Sequence, residues 1–225
     1  MASIEKYTHS AVSNIIRHCN REIRNNSNKD IDNTRTHLNY KLSPERKISD
    51  YEYYKHRKSK LYCYNRKDVK TMCAWVITAP HELQSREEER VFFQATYDFL
   101  ERMYGSENVI NAVVHYDEAG QPHLHFNFIP VAVDNNKKHN TSEKICAKDI
   151  INKTTLKNFH FLLDRHLKAM NIRGDVINGI TKKQGGNRRV EDMKRISELE
   201  RENKRLHEIL YSYEHDRERN DSRWR

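Results

Sequence analysis

Apolar positions along this chain recur with two periods. Over residues 9–26, Val12, Ile15, Ile16 and Ile23 make a ragged helical stripe that Ser10 can cap. Residues 85–104 carry a stronger one: Val91, Phe92, Ala95, Phe99 and Met103 share a face, and Gly105 ends it. Residues 154–171 repeat the pattern with Leu156, Phe159, Leu163, Leu167 and Met170. Residues 72–79, MCAWVITA, read instead as a short buried strand closed by Pro80. Residues 108–116 and 123–131 are two further β-rich runs. The short link DEAGQP, with its Gly and Pro, makes them a hairpin. Residues 25–39 are rich in Asn and Asp and read as a loop. Strand, helix, hairpin, helix is the order of an α+β fold, an antiparallel sheet flanked by helices.

The period changes at the end of the chain. Residues 180–189 form a basic linker, and Ile196, Leu199, Asn203, Leu206, Leu210 and Tyr213 then follow at spacings of 3, 4, 3, 4 and 3. That is a heptad seam with Asn203 at an a position, which favours a parallel two-stranded coil. The expected organisation is a main domain over 1–180, a linker over 181–190 and a short coiled-coil helix over 191–216, which makes a homodimer possible. The alternative is a helix packed back on the domain.

Composition narrows the partner more than the fold. The chain has 225 residues, enough for one domain and an appendage. With 36% apolar and 32% charged residues it is wet but can still fill a core. Six Gly and four Pro argue against a turn-rich β-sandwich. No apolar run is long enough to span a bilayer, and MASIEKYTHS lacks the features of a signal peptide. The formal charge of +9 favours a polyanionic partner. Four scattered cysteines with no Cys-x-x-Cys pair suit free thiols in a reducing compartment.

Residues 40–70 concentrate that charge. They hold ten Lys or Arg against four acids, and six of the twelve tyrosines. Cations suit phosphates and aromatic rings suit bases. Candidate DNA contacts are Lys55, Arg57, Lys58 and Lys60 here, with Arg17 and Arg35 upstream. The competing reading is a helix with a solvated cationic face and tyrosines packed beneath it.

The sharpest chemistry lies in the hairpin, at His115-Tyr116-Asp117-Glu118 and Pro122-His123-Leu124-His125. Side chains alternate along a strand, so His123 and His125 share a face, and ordinary hairpin register adds His115. Leu124, Phe126 and Phe128, with Ile110, Ala112 and Val114 on the partner strand, anchor the opposite face. Three neutral imidazoles suit Mn²⁺, Zn²⁺, Co²⁺ or Ni²⁺ and leave coordination positions open. Asp117 or Glu118 could accept the second ring N–H of a ligand histidine. A metal, a basic aromatic surface and a polyanion together point to phosphodiester chemistry.

These residues resemble the metal motif of HUH relaxases, and specifically the Mob/Pre (MobV) plasmid mobilisation and recombination proteins. Arg17-His18-Cys19-Asn20-Arg21-Glu22 is similar to that family's first motif. Ser27 to Ile31 and Arg35-Thr36-His37-Leu38-Asn39-Tyr40 are similar to its second, and Trp75-Val76-Ile77-Thr78 to the strand that follows. The resemblance covers about residues 9–180. It implies a bacterial cytoplasmic enzyme that nicks one strand at a plasmid transfer origin, stays on the 5′ phosphate and later rejoins the ends. It also implies one divalent cation, Mn²⁺ or Mg²⁺, with His115, His123 and His125 as ligands and Glu118 as the motif's acid. His18 is implied as nucleophile, and Arg21 as a group that holds the scissile phosphate or tunes His18. Tyr40 is the rival nucleophile. Two departures stand out: Lys41 follows Tyr40 where the family typically has an acid, and the turn before Pro122 is one residue longer. The family is often longer than this chain, which leaves open a short member, a truncated product or an excised domain. The competing functions are an inactive transfer-origin repressor and a rolling-circle replication initiator. The second usually carries a catalytic Tyr on a late helix, and 154–171 has none.

Overall fold

The computed structural model describes residues 2–23, 30–174, 176, 195, 198–199, 201–209 and 211. The chain divides into two compact units, residues 1–177 and 178–225.

The first unit is built on a five-stranded antiparallel sheet. Its strands are β1 (Ala2–Thr8), β2 (Tyr40–Lys41), β3 (Lys70–Thr78), β4 (Val109–His115) and β5 (His123–Phe128), ordered β1-β3-β5-β4-β2 in space. Around it lie α1 (His9–Cys19), α2 (Asp50–Ser59), α3 (Arg86–Tyr104), α4 (Ala147–Ile150) and α5 (Lys153–Ala169), with a small ribbon of β6 (Val131–Val133) and β7 (Glu143–Ile145). Local signals set the helix ends. Ser49 and Glu52 form a capping box at the start of α2. Ser85 caps α3, Glu87, Glu88 and Glu89 complement its dipole, and Gly105 at φ 86° ends it.

Strand register sorts the side chains onto two faces. Trp75 pairs with Phe126, Ile77 with Leu124, and Val114 with Leu124. This apolar face is covered by Phe92, Phe93 and Leu100 of α3 and by Phe159, Leu163 and Leu167 of α5. Trp75 stacks on Phe159 with ring centroids 3.7 Å apart and donates its indole N–H to the Tyr104 hydroxyl at 2.9 Å. Truncating a ring so fully buried costs about 3–5 kcal/mol. On the opposite face, Val12 and Ile16 of α1 and Tyr54 of α2 pack with Met72 and Ile110. The histidines project from one end of that second face.

Several expectations need correction. The edge strand β1 was not anticipated, because its alternation mixes Ala2 and Ile4 with Lys6 on one face. The first helix stops at Cys19 rather than continuing to 26. A bulge between Val109 and Asn111 changes the phase of β4, so Ile110 packs with Val12 and Ile16 on the histidine side rather than beside Ala112 and Val114. Val91, Leu156 and Met170 are exposed at the margins of their stripes. The stretch read as a loop contains a 3₁₀ turn over Asn33–Leu38, capped by Asp32.

In the second unit, residues 195, 198–199, 201–209 and 211 are helical. Leu199, Asn203 and Leu206 of the heptad seam lie on this helix and are exposed. Ile196, Leu210, Tyr213 and the linker 181–190 lie outside the described residues.

Candidate metal centre

The centre forms where the end of α1 meets the β4–β5 hairpin. Asn20 caps α1, and Arg21 follows in the left-handed region at φ 56°. The Arg21 N–H bonds the His18 carbonyl at 3.1 Å and the Glu22 N–H bonds that of Arg17 at 2.8 Å. This is the paired closure that usually employs glycine, and a side chain there costs about 1 kcal/mol. What that position delivers is the guanidinium. Its Nε and Nη2 donate to the Asp117 carboxylate at 2.8 and 2.6 Å, Nη2 also reaches Glu118 Oε1 at 2.7 Å, and Nη1 returns to the His18 carbonyl at 3.1 Å. Arg21 thus ties the helix end to the hairpin turn, with its side chain turned inward and only 9% exposed.

The three histidines share one face, as alternation requires: His115 pairs with His123, and Val113 with His125. Donor atoms of His115, Glu118, His123 and His125 all lie within 4.8 Å of one another. Each ring has a defined inward nitrogen. His115 donates Nε2–H to the Cys19 carbonyl at 2.8 Å, so Nδ1 faces the cluster, where it accepts from Arg21 Nη2 at 3.0 Å. His123 turns Nδ1 to the Gln121 carbonyl at 3.3 Å, leaving Nε2 facing Glu118. Nε2 of His125 is buried with no hydrogen-bond partner. A buried ring nitrogen left unpaired beside two others with set tautomers fits a metal ion, and imidazole with carboxylate suits a divalent one.

Two acids flank the rings in different roles. Glu118 lies among them: Oε1 is 3.5 Å from His115 Nδ1 and 3.6 Å from His18 Nε2, and Oε2 is 3.6 Å from His123 Nε2. It is therefore placed like a fourth ligand. The expectation that an acid takes the second ring N–H is corrected, since backbone carbonyls of Cys19 and Gln121 do so. Asp117 is fully buried, pairs with Arg21 and accepts from the Thr36 hydroxyl at 2.9 Å. Its carbonyl takes the Asp32 N–H at 2.7 Å, and the Tyr116 N–H bonds Asn39 Oδ1 at 2.7 Å. The segment around residues 30–39 thereby braces the turn.

Electrostatics follow from this packing. Burial lowers the pKa of His123 and His125, and neighbouring imidazoles add to it, so both rings stay neutral near pH 7. Burial also lowers His18; Glu118 opposes this while Arg21 and His115 reinforce it. For Asp117, burial is outweighed by the hydrogen bonds from Arg21 and Thr36, which hold its pKa at about 2. Glu118 is likewise held low, because the Arg21 guanidinium and the imidazoles that close on its carboxylate together outweigh its burial.

His18, in the last turn of α1, stands beside the cluster, with its ring centroid 6.1 Å from that of His125. Tyr40 does not join it. Its pairing with Val114 puts it on the apolar face, where it packs near Tyr116 and Arg90, on the other side of the sheet from the imidazoles. Burial raises its pKa to about 12. Among the basic residues, Arg17, Arg35, Lys55 and Lys60 are exposed and Lys58 half-buried. Arg57 donates to Asn108 Oδ1 and Glu143 Oε2, both at 2.9 Å. Tyr51, Tyr53 and Tyr54 of α2 pack or hydrogen-bond inward, as the competing reading of this segment expected.

Sequence reasoning missed the roles of Asn20, Asp50, Asn111 and Asn127, which are joined by hydrogen bonds beneath the end of α1 on the histidine side of the sheet. Period-2 alternation could have found two of them, because Asn111 and Asn127 fall in phase with His115 and His125.

Comparison with known proteins agrees with this architecture. The model of the plasmid recombination enzyme family, Mob_Pre, matches residues 1–195. A plasmid recombination enzyme of Lactiplantibacillus plantarum is 32% identical over 187 residues, covering 80% of this chain and 49% of that protein. A plasmid recombination enzyme type 3 of Staphylococcus aureus is 30% identical over 161 residues, covering 68% and 37%. The chain thus spans about half or less of these relatives. In fold it is similar to the MobM relaxase domain, a Mn-bound crystal structure in complex with plasmid oriT DNA, at a TM-score of 0.70 and 24% identity over 87% of this chain and 97% of that one. Among the described residues no helix is long and apolar enough to cross a membrane. With its fold, its histidine hairpin and a match over most of its length, the chain belongs to the plasmid recombination enzyme family.

Proposed function

We propose that this chain nicks and rejoins one strand of plasmid DNA at a transfer origin, with a divalent cation held by His115, His123, His125 and Glu118, and His18 as nucleophile. The observation that carries this reading is the position of His18: a neutral imidazole beside a histidine cluster with an unpaired ring nitrogen, in a chain of this family. When bound, the cation would draw charge from a non-bridging phosphate oxygen and stabilise the transition state.

The remaining steps belong to side chains. His18 attacks phosphorus with an unprotonated ring nitrogen and forms the N–P bond. The bond to the 3′ oxygen breaks, and that oxygen leaves with the electron pair and takes up a proton. The other ring nitrogen loses its proton, so charge balances. Rejoining runs the same steps in reverse. Depression of the His18 pKa keeps the attacking form populated at neutral pH. Arg21 fits the tuning role rather than a grip on phosphate, because its guanidinium is committed to Asp117, Glu118, the His18 carbonyl and His115 Nδ1. Tyr40 lies on the wrong face for the rival role.

The test is a supercoiled plasmid carrying the cognate origin, incubated with Mn²⁺ or with Mg²⁺. Expected are open circles with one blocked 5′ end and an adduct that falls apart in mild acid, absent in His18→Ala and retained in Tyr40→Phe. Binding without nicking in either metal would favour the repressor reading instead. An acid-stable adduct on Tyr40 would keep the reaction class and displace His18.

A further inference from the structure

Beneath α1, on the histidine side of the sheet, three asparagine amides form a directional chain. Asn127 donates Nδ2–H to Asn111 Oδ1 at 2.7 Å, Asn111 donates to Asn20 Oδ1 at 3.0 Å, and Asn20 donates to Asp50 Oδ2 at 2.9 Å. Every bond points toward one carboxylate. Asn127 also reaches Cys19 Sγ at 3.4 Å. Asn111 and Asn127 are fully buried and Asp50 is 5% exposed. Lys41 Nζ balances Asp50 at 2.8 and 2.9 Å, and Arg46 Nη1 stands 3.7 Å away.

The placement of this chain is telling. Asn127 follows His125 by one pleat, Asn111 precedes His115 by two, and Asn20 lies between Cys19 and Arg21. Leucines would fill the same space without the cost of burying amides and a carboxylate. Apolar side chains, though, allow a helix end to slide or rotate by small amounts, whereas hydrogen bonds in series fix distance and direction. The carboxylate polarises the amides in one sense, which strengthens each bond of the series.

We propose that the Asn127–Asn111–Asn20–Asp50 relay is a positioning device that sets the end of α1, and with it His18, against the histidine hairpin. It touches the metal ligands only through the Cys19 carbonyl that holds His115; His123 and His125 are fixed by the β4–β5 pairing and, for His123, by the Gln121 carbonyl. The inference rests on the function proposed above for the meaning of His18, and on the hydrogen bonds alone for the relay. Lys41 enters as the ion-pair partner of Asp50 rather than as a lost catalytic acid.

The experiment uses the full chain and compares wild type, Asp50→Asn, Asn20→Asp and the double variant Asn20→Asp with Asp50→Asn. Asp50→Asn keeps shape but removes the terminal charge. Asn20→Asp sets two carboxylates against each other. The double variant exchanges amide and carboxylate and restores the bond between positions 20 and 50, leaving Lys41 a single acceptor oxygen at position 50. Expected is a fall in kcat for oligonucleotide nicking of about 10-fold for Asp50→Asn and more for Asn20→Asp, with recovery to within about threefold in the double variant. KM and Mn²⁺ affinity should stay within about twofold throughout. A kcat unchanged in both single variants, no recovery in the double, or a parallel loss of Mn²⁺ affinity would each overturn the proposal. Exchange of the His115 Nε2 proton, followed by NMR with Mg²⁺, reads the helix end without catalysis. It should quicken in both single variants and slow again in the double. A wild-type chain that never nicks removes the proposed function, and this proton then decides the relay alone.

Discussion

His115 donates its Nε2 proton to the carbonyl of Cys19, 2.8 Å away, so an imidazole of the cluster is held by the helix turn that carries His18. Any ion that draws His115 Nδ1 inward strengthens this bond through the ring. Metal binding should therefore be felt along the backbone of α1. Hydrogen exchange measured with and without Mg²⁺ should show slower amides in the last turn of α1 and in β5, while α5 remains as before. Equal exchange in α1 in both states would show that the two elements are uncoupled.

Arg21 adopts φ 56° with a full side chain. Arg21→Gly relieves the backbone yet removes the guanidinium, whereas Arg21→Ala removes it without relief. Both should be less stable than wild type by about 2–4 kcal/mol, because Asp117 is left buried without its partner. The glycine variant should exceed the alanine variant by about 1 kcal/mol in urea denaturation. Arg21→Lys retains charge but cannot span Asp117 and Glu118 together, and its nicking should fall about 100-fold.

Protonation should weaken the metal-free protein in mild acid. His18, His123 and His125 have folded pKa values below their ordinary value of about 6.5, so the unfolded chain binds protons first. Their contribution is present above pH 6.5 and is lost as pH falls through the folded values. Tm recorded from pH 7.5 to 5 should hold above 6.5 and drop steadily below it. Mn²⁺ should raise Tm most at the upper end of the range, where the ligands need not first be deprotonated. A flat profile in the metal-free chain would contradict the burial argument.

DNA binding should separate the basic residues into two groups. If the surface meets about six phosphates, raising salt from 50 to 200 mM should weaken binding roughly a thousandfold. Lys55→Ala, Lys58→Ala and Lys60→Ala should each reduce the slope by about one counterion. Arg57→Ala should leave the slope intact and lower Tm instead, since it breaks the bonds to Asn108 and Glu143.

The exposed seam through Leu199 and Leu206 leads to a dimer expectation. Sedimentation at tens of micromolar should find a dimer in the full chain and a monomer when it is cut at Gly186. Asn203→Ile should raise thermal stability and broaden the oligomer distribution. A monomeric full chain at that concentration would remove the coiled coil.

Alternation made the hairpin and its three imidazoles legible, because period 2 acts over neighbouring residues. Helical periodicity located α3 and α5 within a residue or two. Long-range partners were not legible. Nothing local says that Asp50 meets Asn20, that Arg57 turns to Glu143, or that the 30–39 segment braces Asp117. The face that Tyr40 takes was hidden for the same reason, since it depends on pairing with Val114 across the chain. The edge strand β1 escaped because its buried side includes a lysine whose amine reaches the Ile151 carbonyl at 2.7 Å.

The bulge at Ile110 divides β4 into a forgiving and an unforgiving stretch. A bulge is a spare step in the pleat, so deleting Ile110 removes the slack and leaves everything beyond it in frame. Deleting any one residue from Ala112 to Val114 keeps His115 in step with His123 only if that bulge closes, and closing it turns Asn111 onto the apolar face. A chain edited at the first place should still assemble the cluster with a smaller core under α1. A chain edited at the second would keep its sheet only by pointing an amide or an imidazole into oil.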